Sequence, residues 1–208
     1  MTSAPSRPPL TPRKRPSQRR SEATVDAILE AAVRILAAGG PGAASARRIA
    51  EVAGVSVGSL YQYFPNREAV LAELVRRRAD AVAGAVSAAC EGASGDPGEA
   101  ARAVVAAFVA EKRRELPRSR AHALVLSLVD GRRVLAEAAR RVEGAFAAML
   151  ERASGRPLAP AERARVGVAL AAVEGAVAAT LETDPDRIAD PEFDAALVRI
   201  LLGALDLR

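Results

Sequence analysis

The sequence predicts an all-α protein, and three observations carry that expectation. Aromatic residues make up 3% of the chain and Trp is absent, while half of the chain is hydrophobic. The core must therefore be built from Ala, Val and Leu, which suits close-packed helices better than a sandwich of strands. No segment sustains the in–out alternation of a half-buried strand. Clusters of Gly, Pro, Asp and Ser recur at spacings that bound helices of ordinary length, about nine in all.

Taken in order, residues 1–20 (MTSAPSRPPLTPRKRPSQRR) are dominated by Pro, Ser and Arg and read as a disordered basic arm. Ser21 is a candidate N-cap for the first helix, with Glu22 near its positive end. Val25, Ile28, Leu29, Ala32, Ile35 and Leu36 follow helical spacing until Gly39-Gly40-Pro41-Gly42 stops them. A second helix is expected after Ser45, running to Ala53 with Ile49, Ala50 and Ala53 inward. A third runs from Val57 to Phe64 and stops at Pro65. Asn66 caps a longer fourth, with Val70, Leu71, Leu74 and Val75 inward and a basic patch at Arg76, Arg77 and Arg78. Beyond a loop at Gly92 to Gly98, Asp96-Pro97-Gly98-Glu99 reads as N-cap, N1 proline and capping acid. Pro117, Asp130-Gly131, Gly155 to Pro160 and Asp184 to Pro191 mark the remaining breaks, and Asp190-Pro191 opens the last helix.

Composition excludes several classes of function. One cysteine, Cys90, cannot form an intrachain disulfide and fits a reducing cytoplasm. The opening residues have no apolar stretch of a secretory signal, and the longest uncharged apolar runs fall short of a membrane span, so no membrane partner is expected. One His and one Cys do not make a usual zinc site, and neither a Gly-rich phosphate loop nor a nucleophile elbow is present. Neither an enzyme nor a cofactor is expected. The net charge of +5 is unevenly placed: +6 on residues 1–20, +1 on 21–78 and −2 on 79–208. Contact with a polyanion therefore belongs at the N-terminal end.

The most informative stretch is Ser45 to Phe64, SARRIAEVAGVSVGSLYQYF. It reads as two short helices joined by a tight turn. Ser45 and Ser56 are the caps, Gly54 supplies a left-handed turn residue, and Val55 fills the angle between the helices. Ile49, Leu60 and Phe64 would be core. In such a helix-turn-helix the first turn of the second helix, here Val57, Gly58 and Ser59, meets base edges in a major groove. Tyr61 and Tyr63, the only tyrosines of the chain, can donate hydroxyls to phosphates. Arg47, Val57, Ser59 and Gln62 are the specificity candidates.

These residues carry a resemblance. Residues 21–78 resemble the N-terminal domain of the TetR family of transcriptional regulators, through Ile28-Leu29, Ala31-Ala32, Ile49-Ala50, Ala53-Gly54-Val55-Ser56, Gly58, Leu60-Tyr61, Tyr63-Phe64 and Asn66-Arg67-Glu68. The resemblance implies a DNA-binding set of Ser45, Arg47, Arg48, Val57, Gly58, Ser59, Tyr61, Gln62, Tyr63 and Arg67. Arg47 stands where family members often reach a base, and Arg67 keeps the charge of a frequent Lys. Ala44 and Ala46 depart from the pattern, standing where Thr or a bulkier residue is frequent. Leu36 replaces a Phe at the end of the first helix.

The second half, 79–208, matches in length and helical character. Residues 166–181 (VGVALAAVEGAVAATL) carry one charge, Glu174, and are expected to be buried on nearly every side. Val166, Leu170, Val173, Val177 and Leu181 form a large-residue stripe, with Gly167, Ala171, Gly175 and Ala178 as a small-residue stripe beside it. With Leu197 and Leu201 of the last helix, the small stripe makes a candidate dimer face. This resembles the family's two-helix face, and a twofold dimer matches a palindromic double-stranded DNA operator. The resemblance also implies a small-molecule effector, for which Phe108, His122, Leu126, Phe146, Met149 and Glu174 are the pocket candidates. The expected function is thus a sequence-specific DNA-binding repressor, cytoplasmic and homodimeric, released by an effector. The alternatives are an activator or architectural DNA-binder without that switch and, more remotely, a helical enzyme tethered to DNA.

Overall fold

The computed structural model describes residues 10–12, 19–93, 96–114, 125 and 131–207. Among them are eight α-helices, two short 3-10 turns and no strand. The helices are α1 (Arg19–Gly39), α2 (Ala46–Ala53), α3 (Val57–Tyr63), α4 (Arg67–Gly92), α5 (Pro97–Arg114), α6 (Gly131–Ser154), α7 (Pro160–Thr183) and α8 (Pro191–Ala204). The 3-10 turns are Pro41–Ala43 and Pro185–Ala189. The chain divides into two compact units, with one boundary inside α4 after Arg78.

The first unit holds α1, α2, α3 and the start of α4. Its core joins Val25, Ile28, Leu29, Ile35 and Leu36 of α1 to Ile49 and Ala50 of α2, Leu60 of α3, Phe64, and Val70, Leu71, Leu74 and Val75 of α4. This is the apolar set that helical spacing picks out. α1 begins at Arg19, so Ser21 lies inside its first turn and is not the N-cap. Arginine is a good helix former, and it carries the helix upstream of the serine. Close packing shapes the end of α1 as well, for a β-carbon on Gly39 would stand 2.8 Å from that of Ala43. Three described features lie outside the simple head drawn from the sequence. Leu10 packs against this core and its carbonyl accepts from Arg76 at 3.3 Å, so the arm is attached at that point. Val125 and, at the start of α6, Val134 and Leu135 also pack here.

The second unit packs α7 on α8 and α5 on α8. Its core runs through Val86, Val104, Val105, Val109, Phe146, Met149, Val166, Val173, Val177, Ile188, Leu197 and Leu201. The caps read from the sequence form: Asp96 Oδ2 accepts from Glu99 N at 2.9 Å, and Asp190 Oδ1 from Glu192 N at 2.9 Å. Arg113 ties three elements together. Its Nε donates to the Ile188 carbonyl at 2.7 Å, and its two terminal nitrogens grip Asp194 at 2.8 and 3.1 Å. A bidentate guanidinium–carboxylate pair of this kind sets orientation as well as distance.

Within one chain α7 is buried on one face, and the other wall expected for residues 166–181 is left to a partner subunit. Val166, Ala169, Val173 and Val177 are buried, whereas Val168 is 67% exposed and Ala171, Ala172, Gly175, Ala178 and Ala179 are exposed. The exposed set lies on one face opposite the core stripe, as 100° per residue requires. The full helix, Pro160–Thr183, is long and apolar enough by length and composition to cross a membrane, which the shorter run 166–181 does not suggest. Its apolar stripe is spent on the core of the second unit, and Glu162, Arg163, Arg165, Glu174 and Glu182 are distributed along it.

Candidate nucleic-acid interface

The helix-turn-helix is assembled by its caps. Ser45 is extended, and its hydroxyl accepts from Arg48 N at 3.2 Å, opening α2. α2 ends on Gly54 at φ 70° and ψ 26°, the left-handed region, from which the Gly54 and Val55 amides return to carbonyls of α2. A residue with a β-carbon is strained there, so glycine sets the sharp angle between the helices. Ser56 is extended and its hydroxyl accepts from Ser59 N at 2.9 Å, opening α3. Phe64 leaves the helix conformation before Pro65, and Asn66 Oδ1 accepts from Ala69 N at 2.7 Å to start α4. Ile49, Leu60 and Phe64 are fully buried and lock α2 and α3 onto α1 and α4.

Packing leaves one side of the motif open. Ser45, Arg47, Arg48, Val57, Gly58, Tyr61 and Gln62 are exposed, with Val57 at 38% and Tyr61 at 41%. Ser59 and Tyr63 are half-buried, and Tyr63 rests on the head core. The Ser59 hydroxyl is held 2.8 Å from that of Ser56, so the two serines share one hydrogen bond and keep one free hydroxyl proton between them. Ala44 is fully buried, so this departure from the family pattern serves packing; Ala46 is half-buried.

Ion pairing sorts the arginines of the head. Arg48 bonds Glu51 at 2.9 Å and Arg67 bonds Glu68 at 3.2 Å. Arg76 pairs with Glu73, and Arg77 with Asp26 and Glu73. The basic patch expected at residues 76–78 is thus partly neutralised by acids on α1 and α4. Arg47 makes no ion pair or side-chain hydrogen bond among the described residues and stays exposed on α2. It is the long cation of the motif left available to a polyanion.

Of the expected pocket residues, Phe108, Phe146, Met149 and Glu174 are described and lie in the second unit. His122 and Leu126 lie outside the described residues, as does most of the arm. Phe146 and Met149 are core, at 0% and 2% exposure. Glu174 is half-exposed, not buried, and its partner is Lys112, whose Nζ lies 2.8 Å from Glu174 Oε1 and 4.9 Å from the Phe108 ring centre. A cleft of about 130 Å³ is lined by Pro97, Leu150, Leu158, Val166, Leu205 and Leu207, none of them expected. It is smaller than the usual site for a drug-sized ligand. Among the described residues no group of His, Cys, Asp and Glu could hold a metal ion.

The residues of the expected dimer face divide, with Ala171, Gly175 and Ala178 exposed and the others turned inward. Leu197 and Leu201 are buried in the core of their own chain, at 1% each. Gly167 faces α6, where a β-carbon would stand 3.4 Å from Glu143 Oε1. Ile200, which the sequence groups with Leu197 and Leu201 on the apolar face of the last helix, is outward at 39% exposure, and Val168 of α7 is outward at 67%.

Comparison with known proteins agrees with this geometry. The family model described as bacterial regulatory proteins, tetR family, matches residues 28–74. No curated protein sequence matches the chain. A TetR-family transcriptional regulator from Streptomyces coelicolor superposes with a TM-score of 0.66 at 25% identity, over 90% of this chain and 98% of that one. PfmR, a TetR-family regulator from Thermus thermophilus, gives 0.63 at 24% identity over 85% and 94% of the two chains. The fatty acid degradation regulator FadR from Bacillus halodurans shares the fold, with a TM-score of 0.67 at 19% identity over 93% and 97%. Residues 28–74 match the N-terminal domain of the tetR family of bacterial regulatory proteins, and the chain as a whole has the fold of the TetR-family transcriptional regulators.

Proposed function

We propose that this regulator is a homodimeric repressor that occupies a palindromic operator and leaves it when a small molecule binds the C-terminal domain. Residues 21–78 serve as the DNA-binding head and 79–208 as the effector and dimerisation domain. The observation that carries the reading is the open side of the capped helix-turn-helix. There Arg47, Val57, Gly58, Tyr61 and Gln62 share exposure while Ile49, Leu60 and Phe64 anchor the scaffold behind them. α3 enters the major groove, Arg47 reaches from α2, and the Tyr61 and Tyr63 hydroxyls bond phosphates. The outward Ala and Gly face of α7, with Val168 and Ile200, joins two copies. That places two heads on half-sites roughly 34–36 Å apart or a multiple of it. An effector releases DNA by binding one head spacing more tightly than the other, and its differential affinity limits the response.

The test is a duplex selected from a random pool by the full chain, used in a binding titration and a reporter. Replacing both tyrosines with Phe should weaken binding about fivefold for each lost hydroxyl bond. Deleting the gene should raise transcription from promoters that contain the selected sequence. Lower transcription would favour an activator, and unchanged transcription an architectural role. Binding that no small molecule weakens would remove the switch.

A further inference from the structure

The first turn of α3 presents an unusual surface for reading bases. Ser59 has its hydroxyl paired with Ser56 at 2.8 Å, and Gly58 has no side chain. That leaves Val57 as the outward side chain of the turn, 38% exposed while every other large apolar residue of α2 and α3 is at least partly buried, Tyr61 excepted. Valine offers no hydrogen bond. It can distinguish base pairs only through the one apolar group on the floor of a major groove, the C5 methyl of thymine. Its branched side chain holds one preferred rotamer in a helix, so the contact costs little ordering. Gly58 beside it keeps the backbone low enough for so short a side chain to reach.

We propose that Val57 is a specificity-determining residue that reads a thymine methyl once in each operator half-site. This rests on the DNA-binding reading above. Arg47, the unpaired cation of α2, supplies a polar contact; Val57 supplies discrimination that a hydrogen-bond pattern cannot give.

Uracil keeps every hydrogen-bonding group of thymine and lacks only the methyl, so it isolates the contact. The duplex selected by the full chain is remade with deoxyuridine at each thymine in turn, and affinity is read by fluorescence anisotropy. One symmetry-related pair of positions should bind about fourfold more weakly for one substitution and about fifteenfold for both, the effect of uncovering one methyl group in each half-site. Val57→Ala should bind the thymine and uracil duplexes alike. That variant keeps the fold, since the side chain is exposed and Ala is a good helix former. Uracil tolerated at every position, or an undiminished thymine preference in Val57→Ala, would overturn the inference while leaving DNA binding intact. A chain that selects no duplex would overturn both.

Discussion

Replacing Gly54 with Ala isolates the backbone cost of the helix-turn-helix turn. The residue sits at φ 70°, and a β-carbon there would meet nothing within 4 Å. Packing therefore adds no penalty, and the change is confined to forcing a residue with a β-carbon into the left-handed region. That costs roughly 1–2 kcal/mol, reduced by about 0.5 kcal/mol because Ala restricts the unfolded chain more than Gly does. The net loss should be near 1 kcal/mol. Gly58 is the internal comparison. It lies inside α3 without a positive φ, and its β-carbon would make only ordinary contact, 3.7 Å from Ser56 Oγ. Gly58→Ala should stabilise the head by up to about 0.5–1 kcal/mol. The two substitutions are chemically identical, so a gap of about 1.5–2 kcal/mol between them reports backbone conformation alone. The assay is built into the chain: Trp is absent, and both tyrosines lie in α3. Tyrosine fluorescence during urea unfolding therefore follows the head. With a slope near 1 kcal/mol per molar for so small a unit, the midpoint should fall by about 1 M in Gly54→Ala and rise in Gly58→Ala. Gly54→Asn should fall between wild type and Gly54→Ala, because Asn visits the left-handed region more readily. Equal midpoints for the two Ala variants, or a greater loss with Asn than with Ala, would refute the reasoning.

Three further outcomes are expected. Cys90 is 1% exposed, and burial pushes its thiol up to about 11, so alkylation at neutral pH should be slow in the native protein and fast once urea unfolds the second unit. Val168→Asp places a charge on the outward α7 face through which the proposed dimer forms; equilibrium sedimentation should show the variant monomeric and the unchanged chain dimeric, and operator affinity should fall with it, whereas a variant that still dimerises would move the interface elsewhere. Glu162 is held down to about 2, first by the Arg156 hydrogen bonds and then by the Ala159 amide, at the turn between α6 and α7. Because its folded value is lowered, the stability it lends is complete above about 4.5 and lost as pH falls toward 2. Glu162→Gln should lower the neutral side of a pH–stability curve, leave stability near pH 2 little changed, and so flatten the acid limb.

Much of the head is legible in the sequence because its determinants are local. Ser45, Gly54, Ser56 and Asn66 act within four residues of themselves through caps and one left-handed turn, so composition and spacing place α2, α3 and the start of α4 almost to the residue. The repeat of Val25, Ile28, Leu29, Ile35 and Leu36 likewise identifies the buried face of α1. Ser21 failed as a cap because a preference for capping does not oblige a helix to start there when good helix formers precede it.

What the tertiary structure alone decided depends on residues far apart in the chain. Whether an arginine is available to DNA turns on which acid folds against it. Arg77 meets Asp26, 51 positions away, whereas Arg47 meets none, and the two look alike in sequence. Glu174, the one charge of residues 166–181, meets Lys112, 62 positions away, at the half-exposed edge of α7. In an Ala-rich helix every face is apolar, so periodicity could not tell core from outer surface. Packing of α8 against α5 and α7 turned Leu197 and Leu201 inward and left Val168 and Ile200 outside. Local rules write the helices and their ends, and long-range packing chooses which of their faces remains to meet a partner.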